Sequence, residues 1–522
     1  MPLNKEDRKK VRNTLFRHLD GIATIPSCLA LEKNKTLSSF LSAEKQSLNT
    51  ICENHNTNKA YLNVALRLCC SQGWLLQEII DNDCLFCITN KGKSAIKQLA
   101  IYENLRPIIP KLIEFNEFLS DQTLSQRAIS SIIQFGNNLK TDQDYQIHQH
   151  LCGLILGPML VYFGMGDHLN KTGLDANKFE GVRDSIFSLF ELMASLKWGK
   201  LSNTVFTPND YGSAFFDRSS AYGVTVSYLP MFNRLDELLY GDPTCLWNRA
   251  ENTAEIHVNR TMNVWGSGGA HGAYFGKVDE IVKEIFNRPL DEQPAGIADM
   301  GCGNGALLGH LFNLIENETL RGKHLETHYL HLIGADLNKA ALIASKENLA
   351  QQNIEAEFLY ADISKPEEYA KDLKERYDVN LGDLLNVRSF LDHNRIYQKP
   401  TFSGPYPASN STGAFAYRGR FIANDEVECN LTEHFSKWKP YLKRFGLIVI
   451  ELHSLAPILT ASKLGETAVT AYDGTHGYSD QYIVEKEVFL KCSSNAGLVA
   501  DPAFKYYFPS EDCATVSIHL LK

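Results

Sequence analysis

The sequence predicts an α/β protein: a Rossmann-like core built on a mostly parallel seven-stranded sheet, preceded by an α-rich region with winged-helix and helical-lid character. Two observations carry this. From about Ala295, short apolar β-like runs alternate with helical stretches, whereas the first half reads mostly with helical periodicity. At 522 residues the chain exceeds what one hydrophobic core accommodates. The expected division is a winged-helix-like module over 1–110, a helical lid with room for a second such unit over 111–250, and the Rossmann-like domain over 251–522.

Bulk properties narrow the function classes. Lysines and arginines number 52 against 61 acids, a formal charge of −9, and no basic block stands out, so a general nucleic-acid footprint is not expected. The charged N-terminus, Met1-Pro-Leu-Asn-Lys-Glu-Asp-Arg-Lys-Lys10, is no secretory signal. The longest apolar run, Leu151 to Met165, is shorter than the ~20 residues of a spanning helix, and Pro158 interrupts it; it reads as a buried helix with no membrane partner. Twelve scattered cysteines suit a cytoplasmic protein, and the CxxC at Cys84 and Cys87 lacks a second ligand pair, so these are read as small buried hydrophobes.

In chain order, an amphipathic helix spans Tyr61 to Trp74, followed by a strand (Leu75 to Ile80), an Asp81-Asn-Asp83 turn, a strand (Cys84 to Thr89) and a new helix. Helix, helix and a two-stranded wing form a winged-helix pattern. The pattern recurs: Ser185 to Trp198 is again an amphipathic helix ending in Trp, and Val205-Phe-Thr-Pro-Asn-Asp-Tyr-Gly-Ser-Ala214 parallels Cys87-Ile-Thr-Asn-Lys-Gly-Lys-Ser-Ala95. The first candidate recognition helix offers Arg67 and little other positive charge, which favours dimerisation or docking over DNA contact. The seven later runs are Gly296 to Asp299, Tyr329 to Ala335, Glu357 to Tyr360, Asp378 to Val387, Leu447 to Leu452, Phe504 to Phe508 and Thr515 to Leu521. The first five, separated by helices, should be parallel strands; the closely spaced last two should form an antiparallel hairpin at one edge.

The chemistry begins at Asp299-Met-Gly-Cys-Gly-Asn-Gly305. A strand ends in an acid; Gly301 permits a tight turn, Gly303 lets a ligand approach the backbone, and Gly305 opens a helix. The DxGxGxG spacing departs from the dinucleotide fingerprint and resembles the nucleotide loop of class I S-adenosylmethionine (SAM) methyltransferases. That resemblance implies Asp299 toward the methionine part. It also implies Asp336, with Leu337, at the second strand end for the ribose hydroxyls, and Asp362, with Ile363, at the third for the adenine amine. The separation of Asp336 from Asp299 is longer than usual, with Glu316 to His331 read as an insertion.

On the acceptor side, Asn386 to Arg395 follows the fourth strand, and Asp392-His393 can supply a base or a ligand. His453 ends the fifth strand, and His476, Asp480 and Gln481 follow; imidazole with carboxylate or amide oxygen suits iron or manganese. Upstream, the Gly-rich stretch His257 to His271 can cross over SAM, with Arg260 meeting its carboxylate. The catalytic candidates are therefore His393, His453 and Asp392, and the metal candidates His453 and Gln481.

From about Glu180 onward the chain is similar to metal-dependent C-methyltransferase domains of bacterial polyketide synthase loading modules, such as those of the apratoxin and gephyronic acid pathways. The stretches that carry the likeness are Tyr222-Gly-Val-Thr-Val-Ser-Tyr-Leu-Pro-Met-Phe232, Asn263-Val-Trp-Gly-Ser-Gly-Gly-Ala-His271, the glycine loop, Ser389-Phe-Leu-Asp-His-Asn-Arg395 and the His453/Gln481 pair. The resemblance implies a helical lid, SAM, a mononuclear metal, and a malonyl-type acceptor on a phosphopantetheine arm. With no carrier-protein or synthase domain after the final hairpin, action in trans or on a free small molecule is expected, from a cytoplasmic protein with homodimerisation as a further expectation. Two other readings remain: a small-molecule O-methyltransferase with a His base, and a SAM-sensing winged-helix regulator.

Overall fold

The computed structural model describes residues 3–80, 83–248, 255–268, 271–402 and 404–522, with the side chains of 271–273 excluded. Part of the expected turn after Ile80, and Gly269-Ala270 near the end of the Gly-rich stretch, lie outside the residues so described. The chain forms two compact units. One comprises 1–270, 414–422 and 456–480; the other comprises 271–413, 423–455 and 481–522. The expected modules 1–110 and 111–250 thus share one unit, and a continuous domain over 251–522 is interrupted twice.

The second unit holds the seven-stranded sheet: β1 (Gly296–Met300), β2 (His331–Asp336), β3 (Glu357–Tyr360), β4 (Leu385–Ser389), β5 (Leu447–Leu452), β6 (Ala500–Phe508) and β7 (Val516–Leu521). Their order is β6-β7-β5-β4-β1-β2-β3. β1 to β5 pair in parallel, and β7 runs antiparallel to both β5 and β6. Helices α1 (Ala306–Glu318), α2 (Lys339–Gln351), α3 (Pro366–Tyr377), α4 (Asn424–Leu442) and α5 (Lys486–Asn495) cover it. Every residue of β1, β5 and β7 is buried, which is why these segments read as unbroken apolar runs. β4 starts at Leu385 rather than at Asp378. Asp378 instead closes α3 in the left-handed region (φ +57°), and Leu381–Asp383 is a 3-10 turn, so the apolar residues there pack without pairing.

In the first unit, two three-stranded sheets have the same internal order. Lys45–Ser47 pairs with Asp83–Ile88, which pairs with Leu75–Ile80; Leu174–Asp175 pairs with Val205–Pro208, which pairs with Gly199–Ser202. The helices Lys59–Ser71 and Arg183–Ser195 lead into the two wings. Both wings close identically. The carbonyls of Trp74 and Trp198 accept the Thr89 and Asn209 amides (3.0 and 2.9 Å), and the side chains of Thr89 and Asn209 cap the amides of Gly92 and Gly212 (2.9 Å each). A Cβ at either glycine would lie 2.0 Å from the tryptophan carbonyl, so only glycine fits.

Arg67, the main positive charge on the first candidate recognition helix, is 2% exposed and ion-paired with Asp473 at 2.9 Å. Asp473 sits on the helix Val469–Gly477, which is buried among the N-terminal helices; this is what draws 456–480 into the first unit. The apolar run around Leu151 lies in the helix Asp142–Met165, which continues through Pro158. By length and composition it could cross a membrane, but 89% of its most apolar window is buried within the protein.

Candidate active site

The glycine loop leaves β1 with Gly301, Gly303 and Gly305 all at positive φ (+80°, +55° and +76°). The amides of Gly301 and Cys302 donate to the Ala335 carbonyl at the end of β2 (2.7 and 3.1 Å), which ties the loop to the strand carrying Asp336. Asp336 accepts the Gly303 amide at 3.1 Å and the Asn338 amide at 2.8 Å. A Cβ added at Gly303 would meet nothing within 4 Å. Open space over bare backbone beside a carboxylate is what a closely approaching nucleotide-type ligand needs.

Asp299 is 1% exposed, and its Oδ1 has no hydrogen-bond partner. Burial, with the negative charge of Asp336 adding to it, pushes its carboxyl up to about 7. A buried carboxylate lacking a counter-charge is costly, and a ligand ammonium would relieve that cost. Leu337 stands 42% exposed next to Asp336, an apolar face for a flat base. At the end of β3, Asp362 Oδ1 accepts the Ser364 amide and hydroxyl (2.8 and 2.5 Å), fixing the exit turn; Ile363 is buried and its carbonyl accepts Trp438 Nε1 at 2.8 Å. These residues fit the amine, ribose and adenine of SAM.

β4 ends in a strained turn. Phe390 lies in the left-handed region (φ +54°), where a bulky residue is rare outside functional turns, and its amide donates to the Ile450 carbonyl at 2.7 Å. Leu391 follows, and a Cβ at Gly301 would come within 2.8 Å of its side chain, so the segment after β4 packs directly on the glycine loop. The short 3-10 helix Asp392–Asn394 then presents His393. His393 Nδ1 lies 2.5 Å from Glu451 Oε1, and its amide donates to Glu451 Oε2 at 3.3 Å. Glu451, 1% exposed in β5, also accepts the Leu452 amide at 2.7 Å. Opposite a carboxylate, Nδ1 carries the hydrogen and the ring's lone pair sits on Nε2, the disposition of an oriented general base. Sequence reasoning missed Glu451; its one signal was a carboxylate inside an otherwise apolar run, Leu447 to Leu452.

Three expected roles meet a different arrangement. Asp392 is wholly buried, with His434 Nε2 2.9 Å from Oδ1 and Arg388 Nε 3.3 Å from Oδ2. Burial opposes its charge, but Arg388 and His434 hold its carboxyl below the ordinary range, so it is a paired structural anion rather than a second acid–base group. His453 is likewise fully buried; Nε2 lies 2.6 Å from the Ser517 hydroxyl, the ring packs on Phe489, and burial, reinforced by His519, lowers its pKa to about 3. Nε2 is taken by Ser517; among the described residues Nδ1 is buried without a hydrogen-bond partner, and no three His, Cys, Asp or Glu side chains gather as a ligand set. The expected iron or manganese at His453 therefore has no ligand set to support it; Gln481 is half-buried and adjoins Tyr482, whose amide donates to the His393 carbonyl at 2.7 Å. His476 and Asp480 belong to the first unit, as does Arg260, whose guanidinium is held by Glu255.

Comparison with known proteins bears on this site. The family model described as the AprA MT2-like domain matches residues 255–519, the AprA N-terminal domain matches 11–77, and the AprA winged helix domain matches 152–242. No curated protein matches the chain. Similar solved structures include an O-methyltransferase family protein from Burkholderia thailandensis (12% identity, 70% of this chain and 94% of that one, TM-score 0.37). Human N-acetylserotonin methyltransferase in complex with SAM is 12% identical over 74% of this chain and 99% of that one, TM-score 0.40. The CurJ carbon methyltransferase is 12% identical over 81% and 98%, TM-score 0.31.

Proposed function

The chain belongs to the AprA MT2-like methyltransferase family, and from that premise we propose that it methylates the carbon of an acyl, polyketide-type acceptor, carrier-linked or free, with His393 as the base. The observation that supports this most is the His393–Glu451 pair on a segment packed against the glycine loop.

Bound SAM supplies an electrophilic methyl on a sulfonium, which leaves as a neutral thioether once the acceptor's electron pair bonds the methyl. Asp336 and the Gly303 amide position the donor, and Asp299 offsets its ammonium. His393 Nε2 takes the acceptor's acidic hydrogen, and the pair left behind forms the new bond to the methyl. Glu451 stabilises the resulting imidazolium through Nδ1–H, as an orienting carboxylate does. No step is assigned to a metal, because no ligand set gathers around His453 among the described residues. An oxygen acceptor could use the same base, and this is the second reading, favoured by the same dyad. The wings are read as docking or dimerising surfaces of a cytoplasmic protein without nucleic-acid or membrane partners, in keeping with the burial of Arg67.

The test is a panel of acyl pantetheine thioesters and free phenols and alcohols, incubated with SAM with and without EDTA and examined by mass spectrometry and NMR. A new C–CH3 on a thioester, unaffected by EDTA, is the expected product. Methylation confined to oxygen would replace the carbon reading with the O-methyltransferase one. Loss of turnover on chelation, restored by iron or manganese, would overturn the metal-free reading.

A further inference from the structure

One face of α4 carries a polar stripe that the chemistry above does not use. Asn430, His434 and Trp438 recur every fourth residue and therefore lie on the same side of the helix, all of them buried. Each holds the segment around the base. Asn430 Oδ1 accepts Arg395 Nε at 2.7 Å, and its amide nitrogen donates to the Gln398 carbonyl at 2.6 Å. His434 Nε2 is 2.9 Å from Asp392 Oδ1. The Trp438 ring lies under the Arg388 guanidinium at 4.6 Å, while its N–H donates to the Ile363 carbonyl. Arg388 and Arg395 close the cluster on Asp392, through the ion pair at 3.3 Å and through a bond from Arg395 Nη1 to the Asp392 carbonyl at 2.8 Å.

We propose that this stripe positions the reaction: by gripping Asp392 it sets the one-turn helix that aims His393 at Glu451, and by gripping Ile363 it fixes the β3 exit carrying Asp362. His434, Asp392 and Trp438 are positioning residues, none of them touching the reacting atoms. Asp392 is anchored by hydrogen bonds on Oδ1 and on its carbonyl and by the charge of Arg388 facing Oδ2, and it immediately precedes the base, so a shift of Asp392 is a shift of His393. Such a buried, paired cluster is a costly way to hold a loop for stability alone, because an ion pair in the interior seldom outweighs the desolvation of its members. It is a precise way to hold a catalytic group, where a misplacement of about 1 Å can cost about 10²-fold in rate. The proposal rests on His393 being the base.

The test uses the full-length protein labelled with 15N in the histidine rings. The readouts are the imidazole N–H resonance of His393 against Glu451, the SAM affinity, and the rate with whichever acceptor the panel identifies. His434→Ala should abolish the His393–Glu451 resonance and lower kcat by about 10²-fold, with the acceptor KM and SAM affinity unchanged. His434→Gln, which keeps an N–H donor for Asp392, should restore most of both. Trp438→Phe, which keeps the ring under Arg388 but loses the bond to Ile363, should weaken SAM binding and leave the resonance in place; it also serves if His434→Ala fails to fold. An intact resonance and a rate within twofold of wild type in His434→Ala, or in Trp438→Phe an unchanged SAM affinity where His434→Ala is unfolded, would overturn the proposal. If His393→Gln itself retains full rate, the reading of His393 as base fails instead, and the two failures are thereby told apart.

Discussion

The two halves of the strand-end cleft differ in how their polar groups are satisfied. On the β1–β3 side, Asp299 is buried with an unpartnered oxygen, Leu337 is exposed, and the space over Gly303 is open. On the β4–β5 side the base and its carboxylate already have partners: Glu451 receives three N–H donors, two of them from His393. Asp392, next in chain, accepts from His434 and pairs in charge with Arg388, whose guanidinium makes no hydrogen bond among the described residues. The first half is left for a ligand to complete. In the second, the His393–Glu451 pair is finished in advance, as a group must be if it is to act without rearranging during the reaction. Affinity for the donor should therefore reside in one half and rate in the other.

The largest effect should come from the finished half. His393→Gln and Glu451→Gln should each lower kcat by about 10²–10⁴-fold, the range for a general base, while calorimetric SAM affinity stays within a factor of about two. If SAM affinity falls together with rate, the division between halves is broken.

A smaller effect is expected from the unfinished half. Asp336→Ala should weaken SAM binding by about 1.5–3 kcal/mol, the scale of hydrogen bonds to a charged group. A rate at saturating SAM close to wild type would sharpen the contrast, and an unchanged affinity would remove Asp336 from the donor site.

The smallest effect is one of pH. Asp299 is raised from 3.8 to about 7, so between those values the folded protein holds a proton that the unfolded chain has lost. Stability of the unliganded protein should therefore fall as pH rises from about 4 to about 7, by this group alone. SAM's ammonium needs the ionised carboxylate, so affinity should rise by up to about tenfold between pH 6 and 7, with proton release, and level off above that. Titration calorimetry in two buffers of different ionisation heat checks this. Asp299→Asn should flatten the profile, and a slope that persists in that variant would assign the proton to another group.

Local patterning carried much of this protein. The central strands β1, β2 and β5 were legible because buried parallel strands are apolar almost throughout, and the glycine loop because positive φ and a bare backbone demand glycine at Gly301, Gly303 and Gly305. The acids at Asp299, Asp336 and Asp362 followed from the strand ends, since a parallel sheet delivers all its carboxyl ends to one edge. The two wings repeat a cap written within a few residues, Thr89 to Gly92 and Asn209 to Gly212.

What the tertiary structure alone decided is pairing across distance. Glu451 meets His393 58 residues away, Asp392 meets His434 42 residues away, and Arg67 meets Asp473 406 residues away. A side chain's ionisable group looks the same in a sequence whether it is a base, a counter-ion or a buried hydrogen-bond partner. His453 and Asp392 were read as chemistry because of where their strands end, yet the partners that occupy them, Ser517 and the Arg388–His434 pair, come from other elements. Burial and partner together set a group's role, and both are properties of packing, which no local spacing of residues encodes.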